Sequence, residues 1–85
     1  MAYQIVISSA ARRDLKALTC GVLERVDKKI ISLADNPRPH GVEKLAGGED
    51  LYRVRVGDYR IVYSIDDAVL IVAVARVRHR REVYR

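Results

Sequence analysis

Arginines carry most of the chemistry this chain can offer. Arg53 and Arg55 stand two residues apart, Arg60 follows, and Arg76-Val77-Arg78 comes before a tail with Tyr84 near its end. Guanidinium groups keep their charge and present a planar fork that grips phosphate through paired hydrogen bonds. On an extended segment Arg53 and Arg55 share one face, while Tyr52, Val54 and Val56 share the other. If Gly57-Asp58 makes a two-residue turn, Val56 pairs with Tyr59 and Arg55 stands opposite Arg60. Like charges so opposed destabilise a sheet, unless an anion lies between them, and three arginines on one face could clamp a phosphate. The other reading is an ordinary solvated face, with arginines lying over apolar neighbours. A one-residue slip at the turn would separate the arginines. Whether Arg78 joins them depends on the length of the turn at Asp66-Asp67, which the sequence leaves open. Tyr84 could plug the core or offer a phenol at the rim of a basic cleft.

The elements that must position these groups fit one domain, residues 1–85. A chain this short buries about 60–65% of its unfolded surface and forms a single modest core. With 49% hydrophobic and 32% charged residues the composition is globular. The net charge of +5 and a pI near 9.7 favour polyanionic partners, and the excess gathers at the end, where Arg76, Arg78, Arg80, Arg81 and Arg85 face the single Glu82. Cys20 stands alone, so neither an intramolecular disulfide nor a cysteine metal site can form. A lone cysteine in a helical stretch is expected to be a small buried group. Met1 to Ser9 does not read as a signal peptide, and the apolar run Ala68 to Ala75 is too short to cross a membrane. A cytoplasmic protein is expected.

Ala2 to Ile7 reads as a strand. Ser8 or Ser9 caps a first helix through Leu18, Gly21 marks a break, and a second helix runs from Val22 to Asp35 with Leu23, Val26, Ile30 and Leu33 as its buried stripe. Pro37 and Pro39 stop it. His40 to Asp50 is a loop. Strands follow at Leu51–Val56, Tyr59–Ile65 and Val69–Val77, the last apolar enough to be central and covered on both sides over much of its length. The fold class is α+β, in the order β-α-α-β-β-β, with two helices on one face of a twisted, mostly antiparallel sheet.

Lys44-Leu45, the block from Leu51 to Tyr63 (LYRVRVGDYRIVY) and the block from Arg76 to Tyr84 (RVRHRREVY) resemble the RelE branch of the RelE/ParE toxin superfamily over essentially the whole chain. The resemblance implies a type II toxin that enters the ribosomal A site and cleaves mRNA without metal or cofactor. It also implies a RelB-like antitoxin encoded beside the toxin, and a toxin–antitoxin complex that binds operator DNA. Arg53, Arg55, Arg60, Arg78 and Tyr84 match the family's catalytic positions. Lys44, Arg76, His79, Arg80 and Arg81 are the substrate-binding candidates beside them. The 2′-OH of RNA would attack the adjacent phosphate, with Arg60 and Arg78 stabilising the added charge and Tyr84 orienting the 2′-OH or stacking on a base. Some relatives carry lysines where Arg53 and Arg55 stand. Arginine does not give up its proton, which leaves the general base open between His79, Tyr84 and a purely electrostatic Arg55. His40 reads as a loop residue without a role. Metal catalysis is disfavoured, because the acidic residues are scattered and the two histidines lie far apart.

The main rival is a ParE-like toxin that shares the fold and poisons DNA gyrase. The joint presence of Arg53, Arg55, Arg60, Arg78 and Tyr84 favours the ribonuclease. A third reading is a relative without nuclease activity that only binds nucleic acid or the antitoxin.

Overall fold

Apolar residues at alternate positions and two helical stripes assemble around one core. In the computed structural model, which describes residues 2–45, 51–79 and 81, the chain forms β1 (Gln4–Ile7), α1 (Ser9–Lys16), α2 (Cys20–Ser32), β2 (Glu43–Lys44), β3 (Leu51–Val56), β4 (Tyr59–Asp66) and β5 (Ile71–His79). The sheet order is β1-β5-β4-β3-β2. β1 runs parallel to β5 and the remaining pairs are antiparallel. Ala11 of α1, Val26 and Ile30 of α2, and Leu33 just beyond it pack on Tyr52, Val54, Ile61, Tyr63, Ile65, Val72, Val74 and Val77. Both helices therefore cover the same sheet face, as expected from the sequence.

Ser8 caps α1, its Oγ accepting from the Ala11 N–H at 3.0 Å. The interruption between the helices comes earlier than Gly21 suggests. Thr19 occupies the cap position of α2, and Gly21 lies inside its first turn. Cys20, expected to be buried, is exposed at the helix start. Part of the loop after Pro39 forms β2, which pairs Glu43 with Arg53 and Lys44 with Tyr52. Two residues carry no legible strand period, so this edge strand exists only because β3 offers it a ladder. The loop before it is tied down by the Tyr63 hydroxyl, which donates to the Pro37 carbonyl at 2.7 Å. Arg38 adds a two-pronged bond to Asp67 and lies over the Tyr52 ring.

Gly57, with φ of 58°, supplies the left-handed residue that a two-residue hairpin needs, so β3 and β4 pair in the expected register. The β4–β5 turn is longer than expected. Asp66 pairs with Ile71, leaving Asp67–Leu70 as a four-residue connection in which Asp66 Oδ1 accepts from the Ala68 and Val69 N–H groups. β5 is interior to the sheet but not covered on both faces: Val72 and Val74 are buried, whereas Ile71, Ala73 and Ala75 keep partial exposure.

The feature with most consequence is a bulge in β5. Tyr63 pairs with Val74, but Val62 pairs with Arg76, so Ala75 is an extra residue. In an unbulged strand the alternation that buries Val74 would place Val77 opposite Arg60 and turn Arg78 to the helix side. With the bulge, Val77 returns to the core and Arg78 stands opposite Arg60. Backbone groups at the bulge find partners on α1. Ser8 Oγ donates to the Ala75 carbonyl at 2.8 Å, and the Asp14 carboxylate accepts from the Val77 N–H at 2.9 Å.

Candidate functional site

The hairpin and the bulge together line up Arg55, Arg60 and Arg78 across β3, β4 and β5 on the sheet face opposite the helices. Arg55 is exposed and Arg78 half-buried. Arg60, in the middle, is only 5% exposed. Arg60 Nη1 and Arg78 Nε are buried atoms without a hydrogen-bond acceptor, although both residues make other interactions. Adjacent like charges are unfavourable in a folded chain. Their concentration at one place suits a site whose occupant is an anion.

Arg53 lies one pleat along β3 from Arg55. Its Nε and Nη2 donate to Glu43 Oε1 at 3.3 and 2.8 Å. The hydrogen bond and charge of Arg53, with further help from Arg55 and Arg60, hold the Glu43 carboxyl below the usual carboxylate range. A cleft of about 400 Å³ opens at this edge, lined by Lys29, His40, Glu43, Arg53, Arg55 and Arg60 among others. Lys29, Arg53, Arg55 and Arg60 give it a cationic wall. Glu43 and His40 are the side chains in that group able to take up a proton. Such a cleft can hold a phosphodiester and stabilise charge added to it.

The structure does not bring every expected residue into this cleft. Lys44 pairs with Tyr52 on the helix-covered side of β2, so Glu43 is the β2 side chain that meets the arginines. Arg76 turns to α1, donating through Nε and Nη2 to Asp14 at 2.8 and 3.2 Å. His79 lies edge-on to Tyr59, 5.1 Å between ring centres, and lines a smaller cleft with Asp14 and Leu18. Arg81 is exposed, its N–H donating to His79 Nδ1. Tyr84 and Arg80 lie outside the described residues. Among the described residues, no group of three His, Cys, Asp or Glu stands close enough to hold a metal, and no helix is long and apolar enough to cross a membrane.

Lys29, Glu43 and His40 are the cleft residues that sequence reasoning missed. Lys29 had a local signal, since it borders the Val26–Ile30–Leu33 stripe and a long side chain there reaches past the helix. Glu43 and His40 had none. Their place depends on where the loop meets the sheet edge.

Known proteins resemble this chain in sequence and in fold. A family model described as the ParE toxin of the type II toxin–antitoxin system parDE matches residues 5–84. The mRNA interferase toxin RelE of Escherichia coli is 33% identical over 99% of this chain and 92% of its own length. The toxin RelG of Mycobacterium tuberculosis is 35% identical over 100% of this chain and 99% of its own length. Among solved structures, the RelE–RelB complex of Pyrococcus horikoshii superposes with a TM-score of 0.84 at 30% identity, covering 94% of this chain and 97% of the matched one.

Proposed function

The chain belongs to the RelE/ParE toxin superfamily of type II toxin–antitoxin systems, on its RelE side, and from that premise we propose that it is a ribosome-dependent endoribonuclease that cleaves mRNA in the A site. The alignment of Arg55, Arg60 and Arg78 on one sheet face carries this reading. In the reaction the 2′-oxygen bonds to the neighbouring phosphorus as its proton leaves. The bond from phosphorus to the 5′-oxygen breaks, and that oxygen takes up a proton. The products are a 2′,3′-cyclic phosphate and a 5′-hydroxyl end. The arginine row stabilises the charge that builds on the phosphoryl oxygens. The ribosome supplies the bent, in-line geometry that an 85-residue chain has little surface to impose. Tyr84 is assigned to the 2′-OH or to stacking on a base. The partner that silences the toxin is a RelB-like antitoxin, in keeping with the complex solved for the Pyrococcus relative. Its acidic or amphipathic segment would cover the arginine face.

Primer extension on a defined mRNA tests this, using purified protein with and without programmed ribosomes. Cuts confined to the A-site codon and present only with ribosomes are expected. The ParE description of the matched family model favours a second reading, gyrase poisoning. Intact mRNA together with inhibited supercoiling would establish that instead.

A further inference from the structure

We propose that Asp14, which lies outside the arginine cleft, is a positioning residue for the arginine row: it pins the β5 bulge and so holds Arg78 opposite Arg60. β1 pairs with β5 only as far as Val74, so beyond the bulge that edge of β5 has no strand beside it, and a buried N–H there needs another acceptor. Asp14 Oδ2 accepts from the Val77 N–H at 2.9 Å and from Arg76 Nε at 2.8 Å, while Oδ1 accepts from Arg76 Nη2 at 3.2 Å. One carboxylate thus fixes the second bulge residue by its side chain and the next residue by its backbone. Arg78 follows directly. Ser8 Oγ holds the Ala75 carbonyl on the other flank, so α1 grips the bulge from both sides. The Asp14 side chain is only 17% exposed, which shields these charge-assisted bonds from water. Val77 also favours this register by its burial. Losing Asp14 therefore loosens the bulge and lets Arg78 wander, rather than sliding the whole strand.

The catalytic consequence rests on the nuclease reading; the structural one is tested without it. In Asp14→Asn, still folded, the Val77 amide is expected to lose its protection from hydrogen exchange and the cross-strand Arg60–Arg78 contact to weaken by NMR. The β1–β5 pairing from Gln4 to Ile7 is expected to persist. On programmed ribosomes kcat is expected to fall by about 10–100-fold with KM little changed, the mark of misplaced groups. Arg76→Ala keeps the bond to Val77 and is expected to lose less. Deleting Ala75 removes the extra residue while leaving Arg78 opposite Arg60. In that background Asp14→Asn is expected to cost nothing further in kcat. Wild-type cleavage and unchanged Val77 protection in Asp14→Asn would overturn the proposal, as would an equal loss with Ala75 deleted. If the unmodified toxin cuts no RNA, the nuclease reading falls, and the NMR outcome alone decides whether Asp14 sets the row.

Discussion

Arg55 and Arg60 oppose each other across a tight hairpin, a contact that costs stability unless an anion offsets it. The members of the row differ in burial, so they separate chemistry from stability to different degrees. Arg55 is exposed, and Arg55→Ala is expected to change the unfolding free energy by less than about 0.5 kcal/mol. Its A-site cleavage is expected to fall by about 100-fold or more, the loss typical of removing one preorganised donor. Urea titration and single-turnover cleavage check the two halves; unimpaired cleavage would remove Arg55 from the site. Arg60 is a less clean probe than its strand position suggests, because it is 5% exposed and its truncation removes packing as well as charge.

At the level of elements, the site depends on two connections. Tyr63 is fully buried, and burial pushes its hydroxyl pKa up to about 12. It anchors the Pro37 carbonyl, just before the loop that carries His40 and Glu43 into the cleft. Tyr63→Phe leaves that carbonyl unsatisfied and is expected to cost about 1–2 kcal/mol. Thermal unfolding would register this as a drop of about 4–8 °C per kcal/mol in a domain of this size. The second connection is the bulge. Burial raises the Asp14 pKa, but the hydrogen bonds from Arg76 and the Val77 N–H and the charges of Arg76 and Arg78 outweigh it, leaving the carboxyl below its ordinary 3.8. A folded value below the unfolded one means the stabilisation is complete above pH 3.8 and is lost as pH falls through the folded value. Unfolding free energy should therefore decline on acidification below that point, and less steeply in Asp14→Asn. Asp67 and Glu43 are shifted in the same direction by Arg38 and Arg53, so some slope should survive in that variant. An identical slope in both proteins would show that Asp14 titrates as it does in the unfolded chain.

At the scale of the whole molecule, the charge of +5 and the arginine row on one sheet face predict that RNA, if it is the substrate as proposed, binds through its phosphates. Each phosphate neutralised on a single strand contributes about −0.7 to the slope of log affinity against log salt. Arg55, Arg60 and Arg78 together should give a slope of about −2, and Arg78→Ala should reduce its magnitude by about 0.7. Fluorescence anisotropy of a short single-stranded RNA at several salt concentrations measures both. A slope near zero would mean that the arginine face is not where RNA lies.

The sequence by itself determined the parts that rest on local physics. Alternation set the faces of β3 and β4, and Gly57-Asp58 offered a two-residue turn, so the Arg55–Arg60 pair was legible on condition of that turn, which the structure forms. The stripe of Leu23, Val26, Ile30 and Leu33 marked which side of α2 is buried, and Val26, Ile30 and Leu33 are buried there while Leu23 is half-buried. The tertiary structure alone decided what depends on meeting a distant partner. Arg78 joins the row because a bulge absorbs Ala75, and no local pattern marks that residue as the extra one. Arg76 leaves the site because Asp14, 62 residues earlier, offers it a carboxylate. Glu43 enters the cleft and Lys44 turns away because β2 forms only against β3. Period and turn chemistry act over a few residues and can be read along the chain. Register across a bulge and pairing at a sheet edge are settled by contacts that exist only once the chain has closed on itself.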